Sequence, residues 1–269
     1  MEKETMLQIG KNKEEKYFLS QVLDKVQETK KTRKGTVSSF FDEYQKSLAK
    51  KVMEKQQDVL FAFWGGYEEA ERTILICYPE NWDEVMQEKW KRKEAPLQVI
   101  RITLPKMLQG SYQHRQYLGA VMKLGIEREM VGDILVREQG ADIIVKKEMA
   151  NYLMNHLSML TRFQKADVTL VPIEEIKQVE KKVKEFTIIV SSMRADAIVA
   201  ELLHTSRQKA VDVIKEERVF VNFEKIEKIT KELKIGDKIT VRGKGRFYLK
   251  EQLRTSKSGK IILSVEKNI

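Results

Sequence analysis

Apolar side chains return at three- and four-residue intervals over the first fifty positions. Leu19, Val22 and Val26 form one stripe, and Val37, Phe40, Phe41, Tyr44, Leu48 and Val52 form another. That spacing lines one face of a helix, and Lys30-Lys31-Thr32-Arg33-Lys34-Gly35 between the stripes reads as a turn, so an antiparallel helix pair is expected. Leu60-Phe61-Ala62-Phe63-Trp64 and Thr73-Ile74-Leu75-Ile76-Cys77 have strand length and flank a Gly65-Gly66-Tyr67 turn and a short helix.

From Pro96 the period alternates between two and 3.6. Val99 to Leu104 reads as a strand, Gln113 to Leu124 as a helix, Asp133 to Glu138 and Asp142 to Lys146 as a strand pair, Glu148 to Leu160 as a helix and Asp167 to Val171 as a strand. The order βαββαβ is that of a ferredoxin-like sheet, with helices on one face and the other face expected to be free for a ligand. Residues 174–185 are charged and lack Gly and Pro, which suggests a connector.

Beyond it, Ile198, Val199, Leu202 and Leu203 keep helical spacing after Arg194, and Ser206 is placed to cap a second helix with Ala210, Val211 and Ile214 on its apolar side. Val219 to Asn222 and Ile239 to Val241 read as strands around a Gly236-Asp237 turn, and Phe247 to Leu249 with Lys260 to Val265 as a hairpin. The fold class is therefore α+β: an N-terminal helical and αβ module (1–94), a central ferredoxin-like module (95–173), a connector (174–185) and a C-terminal helix-helix-strand domain (186–269).

Charge changes the picture. The chain of 269 residues carries a formal net charge of +10, distributed as 0 over residues 1–94, +3 over 95–182 and +7 over 183–269. Excess charge concentrated on one domain is what a phosphate-binding surface requires. Arg194, Ser206, Arg207, Lys209, Lys215, Arg218 and Asn222 are the candidate RNA contacts, joined by Arg242, Lys244 and Arg246 in a glycine-containing stretch. Arg207, at a helix start, is expected to be replaceable by Glu without harm to the fold.

Chemistry is limited by what the residues supply. Cys77 is the one cysteine, so no disulfide closes within the chain, and its apolar strand suits a buried thiol. His114, His156 and His204 do not have metal-ligand spacing, and neither a metal nor a cofactor is expected. Gly243-Lys244-Gly245 precedes a strand and reads as a loop, not a nucleotide cradle. The N-terminus is charged, and Val59 to Trp64 is too short to span a bilayer, so a cytoplasmic protein without membrane association is expected.

Four signals in order, Arg194-Ala195-Asp196, Ser206-Arg207-Gln208-Lys209-Ala210, Val219-Phe220-Val221-Asn222 and Gly236-Asp237, resemble the RNA-binding domain named after ribosomal small-subunit protein four, the S-four domain. Phe223 stands where that family usually has Gly. Gly65-Gly66-Tyr67-Glu68-Glu69-Ala70-Glu71-Arg72, His114-Arg115-Gln116-Tyr117-Leu118-Gly119-Ala120, Leu124-Gly125-Ile126-Glu127-Arg128 and Gly132-Asp133-Ile134 resemble signatures of the bacterial YlmH family, with Gln116 in place of the usual Asp.

The resemblance implies a non-enzymatic protein that binds structured rRNA or tRNA on the large ribosomal subunit during ribosome quality control, encoded near cell-division genes; a monomer is expected. His114, Arg115 and Arg128 are candidates for a second RNA contact, and Arg115 and Arg128 could equally tie a helix to the sheet through carboxylates such as Asp133. Gly119 and Gly125 are expected to serve helix packing and termination. The alternatives are an RNA-modifying enzyme centred on His114, Arg115 and Asp133, or a cell-division adaptor acting through the neutral N-terminal helices.

Overall fold

Residues 3–94, 96–177, 183–226, 228–256 and 259–268 are described by the structure, a computed structural model. Behind the short α1 (Lys3–Leu7), Asn12 accepts the Glu15 backbone N–H at 2.9 Å and opens α2 (Lys13–Thr32). The expected helix pair does not follow. Thr36–Phe41 is strand β1, and α3 covers only Glu43–Met53. Asp42 separates them with a reciprocal cap: its carboxylate accepts the Gln45 N–H at 2.8 Å, and Gln45 Oε1 accepts the Asp42 N–H at 3.0 Å. Val37, Phe40 and Phe41 fit helical spacing, but the β-branched and aromatic run favours pairing with a buried neighbour.

That neighbour is β3 (Thr73–Pro79), which lies between β1 and β2 (Val59–Trp64) in an antiparallel sheet. Turns, not the expected short helix, join β2 to β3. A charged helix that the apolar pattern did not announce, α4 (Glu84–Glu94), follows and sets Trp90 edge-on to Tyr78 at 5.7 Å. Cys77 is fully buried in β3, and burial pushes its thiol up to about 12.

Strands β4 (Leu97–Thr103), β5 (Val131–Arg137), β6 (Gly140–Lys146) and β7 (Asp167–Val171) form a second antiparallel sheet, ordered β5-β6-β4-β7, with α5 (His114–Lys123) and α6 (Lys147–Met159) in the crossovers. This is the split βαβ topology. Ile100, Ile102, Ile143 and Val145 face the helices and pack with Tyr117, Val121, Leu153 and Leu157.

The opposite face is not free for a ligand, contrary to expectation. Leu97 and Ile144 pack there against Phe40, Ile74, Ile76 and Tyr78 of the first sheet, whose far side buries Leu75 and Cys77 under α2 and α3. The layers run helix, sheet, sheet, helix. Two buried sheet faces each need a cover, and here each covers the other. Gly132 permits the contact, because a Cβ there would lie 2.6 Å from the Phe40 ring.

Polar groups also lie on this face. Asp142, fully buried, accepts from Arg101 Nε at 2.9 Å and Nη2 at 2.8 Å, from Arg137 Nη2 at 2.9 Å and from the Lys177 backbone N–H at 3.1 Å. Burial alone would raise this carboxyl, but the hydrogen bonds from Arg101 and Arg137 hold it well below the usual carboxylate range.

Contacts divide the chain into two compact units, Met1–Val179 and Glu180–Ile269, so the segments read as modules 1–94 and 95–173 share one unit. Of the expected connector 174–185, residues 178–182 lie outside the described residues, and Val183 already belongs to β8 (Val183–Val190).

In the second unit, α7 (Ala195–Leu202) and α8 (Arg207–Lys215) cover one face of a sheet that includes β9 (Val219–Val221), β10 (Glu224–Lys225), β11 (Lys238–Val241), β12 (Gly245–Thr255) and β13 (Ile261–Asn268). Its order is β10-β9-β11-β12-β13-β8. Val219, Val221, Ile239, Val241, Phe247 and Leu249 turn inward against Ile198, Val199, Ala210 and Ile214, leaving the alternate positions on the outer face.

Candidate nucleic-acid interface

The heads of α7 and α8 are organised by one carboxylate. Asp196, with 6% of its side chain exposed, is held by Arg194 through Nε–Oδ1 and Nη2–Oδ2, both 3.1 Å, and by Arg207 through Nη2–Oδ2 at 3.1 Å. Burial alone would raise Asp196, but the two guanidiniums lower it below its ordinary value. The arginines remain 40% and 50% exposed and so present charge outward from fixed positions. Ser206 caps α8, accepting the Lys209 N–H at 3.3 Å, and Lys209 and Lys215 are exposed.

The first backbone donors of α7 are taken up within the fold: Ala195 and Asp196 donate to the Lys231 and Ile229 carbonyls at 2.9 and 3.3 Å, and Ala197 donates to Asp196 Oδ1 at 3.0 Å. An anion at that helix would meet side chains only. One expectation changes: Arg207 is not replaceable by Glu without harm to the fold, because a carboxylate there would face Asp196.

Strand turns employ other candidates. Arg218 Nη2 donates to the Arg242 carbonyl at 3.0 Å, and Nη1 lies 3.2 Å from Glu216. Asn222 Nδ2 donates to Asp237 Oδ1 at 2.7 Å while its Oδ1 accepts the Lys238 N–H at 3.0 Å, so the amide is spent on the turn. Asn222 and Phe223 both adopt positive φ, 49° and 69°, as the two-residue turn joining β9 to β10 demands. Phe223 thus takes the backbone conformation that glycine would supply, with its ring 4.9 Å from Lys238 Nζ.

Arg242 and Arg246 meet the outer face of the sheet. Register aligns Phe220 with Thr240 and Thr240 with Arg246, and the Arg242 guanidinium lies 4.7 Å from the Phe220 ring centre. Lys244 is exposed in the hairpin turn between β11 and β12. By element, Arg194, Ser206, Arg207 and Lys209 stand at helix heads, Lys215 at the end of α8, and the other five candidates on the sheet and its turns.

Among the described residues, the Asp133 carboxylate is hydrogen-bonded to neither Arg115 nor Arg128. It accepts from Tyr67 Oη and the Glu71 N–H, both at 2.8 Å, and from the Arg72 N–H at 3.1 Å. Arg72 in turn donates to the carbonyls of Val131, Phe40 and Arg128 at 3.0, 3.3 and 3.2 Å. The Gly65-to-Arg72 motif is therefore a clasp between the two sheets, and a Cβ on Gly65 would lie 2.4 Å from the Arg72 carbonyl oxygen. Arg128 is half-buried and bonds the Val131 and Gly132 carbonyls; burial, with Arg72 nearby, lowers it to about 10.

Arg115 is exposed and lines a cleft of about 640 Å³ between α5 and the turn after α6. Arg115, Gly119 and Lys123 follow one another along one stripe of α5, and Met159, Leu160 and Arg162 form the opposing wall. Stacking of Phe163 on Tyr117 at 5.6 Å anchors that wall. Arg162 Nη1 donates to the Gln116 carbonyl at 2.8 Å, and its guanidinium lies 5.5 Å from the Tyr112 ring centre. Gln116 itself caps α5, its Oε1 accepting the Gln113 N–H at 3.0 Å.

Gly125, at φ 77°, ends the helix as expected, but Gly119 is not a packing glycine: apart from its chain neighbours and its own helix backbone, no atom lies within 4 Å of where its Cβ would be. A helix-interior glycine is less favourable than alanine by about 1 kcal/mol.

A helical-headed cationic unit and an α/β/β/α body define a modular α+β protein. The chain belongs to the YlmH family. Residues 14–81 match the model described as "YlmH, N-terminal", and residues 91–177 the one described as "Putative RNA-binding domain in YlmH". It is 30% identical over 241 residues to "Ribosome-associated protein quality control protein P2" of Bacillus subtilis (strain 168), covering 88% of this chain and 89% of that one. Among solved structures it is similar to "Cell division protein ylmH from Streptococcus pneumoniae", with TM-score 0.49 and 18% identity over 62% of this chain and 98% of that one. Among the described residues no helix is long and apolar enough to cross a membrane.

Proposed function

We propose that the chain is a non-enzymatic, monomeric cytoplasmic protein that binds structured RNA, rRNA or tRNA, on the large ribosomal subunit in ribosome quality control, with an S-four-type domain as its grip. Family membership and the ribosome-associated name of the B. subtilis relative support this reading. The observation that carries it is the pair Arg194 and Arg207, fixed by buried Asp196, with Arg207 at the head of a helix that also exposes Lys209 and Lys215, in the segment that holds most of the excess charge. Fixed cations select an RNA shape, since side chains cannot read bases in the narrow A-form major groove.

Of the three groups of the alternative enzymatic centre, Asp133 accepts hydrogen bonds from Tyr67, Glu71 and Arg72, which supports the non-enzymatic reading. Lys209→Glu with Lys215→Glu tests the reading without disturbing Asp196. Co-sedimentation of the full chain with purified large subunits should weaken, and its salt dependence should fall by roughly one unit of slope per lysine lost. Undiminished binding of the double variant would refute the assignment.

A further inference from the structure

The cleft between α5 and α6 belongs to the helix-covered face of the second sheet, while the other face is closed by the first sheet. Along α5, Arg115 and Lys123 stand two turns apart, about 12 Å, with bare Gly119 between them, and Arg162 supplies a third cation from the facing wall. None of the residues lining the cleft is acidic. Its apolar lining includes Met159, which is 70% exposed, and Leu160. Cations around a small apolar floor match a nucleotide, which carries a phosphodiester beside a flat base. A volume of about 640 Å³ is within the range of small-ligand sites.

We propose that this cleft seats unpaired RNA, with phosphates toward Arg115, Lys123 and Arg162 and a base against Gly119, Met159 and Leu160. The inference deepens the RNA-binding reading and rests on it. A duplex would meet a concave site poorly, whereas a splayed single strand offers an unstacked base to enter it. Gly119 acquires a role in this arrangement: with no neighbour requiring its smallness, what its missing side chain preserves is the opening itself.

The test uses the full chain, a fluorescent uridine decamer and the same decamer carrying photoreactive thiouridine. Wild-type protein should cross-link within 114–123 or 159–162. Gly119→Leu fills the cleft with a better helix former, so its melting temperature should hold or rise while those cross-links vanish and decamer affinity drops about tenfold. Arg115→Glu should weaken binding likewise. Unchanged cross-links and affinity in both variants would overturn the cleft and leave the RNA reading standing, provided the wild type binds. Failure of the wild type to bind either the decamer or ribosomal RNA would overturn both. Equal displacement of the decamer by uridine monophosphate or by polyglutamate would also overturn the proposal, in favour of a free nucleotide or an acidic peptide.

Discussion

Asp196 and Arg207 belong to different helices, yet the Arg207 guanidinium rests 3.1 Å from the Asp196 carboxylate, which is almost fully buried. A negative charge thus lies beneath the surface proposed for RNA. Its removal distinguishes charge from position. Asp196→Asn makes the chain more positive, so charge alone would tighten RNA binding. Release of Arg194 and Arg207 should instead weaken it on the order of tenfold, with a stability loss of about 1 kcal/mol because both arginines are half in solvent. Titration at fixed salt, alongside urea unfolding, reads both.

Asp142 carries a larger structural load, with Arg101 and Arg137 only 13% and 15% exposed beside it. Asp142→Ala leaves both unpaired and should destabilise the first unit by about 3–5 kcal/mol. The folded carboxyl is depressed, so its stabilisation is present above the unfolded value of about pH 4 and is lost as pH falls through the folded value. The unfolding midpoints of wild type and variant should therefore converge in acid; a constant gap would contradict the ion-pair account.

Phe223 offers a backbone test. At φ 69° a β-branched residue is strained, so Phe223→Val should destabilise the second unit by about 1–2 kcal/mol. Phe223→Gly relieves strain but loses the ring beneath Lys238, and should stay within about 1 kcal/mol of wild type. Thermal unfolding of the two variants provides the comparison.

The βαββαβ order of residues 97–171 was legible because alternation and helical spacing change over cleanly at glycines and charged turns. Val37, Phe40 and Phe41 misled because three residues can satisfy both periods at once; the Asp42 and Gln45 cap was the local sign that the helix starts later. Helix α4 is rich in charge and gave little apolar signal, whereas strand β8 carries Phe186, Ile188, Ile189 and Val190 but begins inside the charged stretch read as a connector. Among the candidates, the sequence singled out Arg194, Asp196 and Arg207 but not the pairing of both arginines with the one carboxylate. The clasp was equally hidden: Tyr67 and Asp133 are 66 residues apart, and only the packing of two sheets brings them together. Read singly, Asp133 could pass for a catalytic acid.

The mutual cover of the two sheets sets where this protein can be cut. A fragment starting at residue 95 would carry Leu97 and Ile144 naked into water, and its complement would do the same with Phe40, Ile74 and Ile76. Both halves would be adhesive and prone to aggregate. Gene truncations, fusions and domain swaps should therefore succeed only when residues 3–177 travel as one cassette, whatever becomes of the remainder.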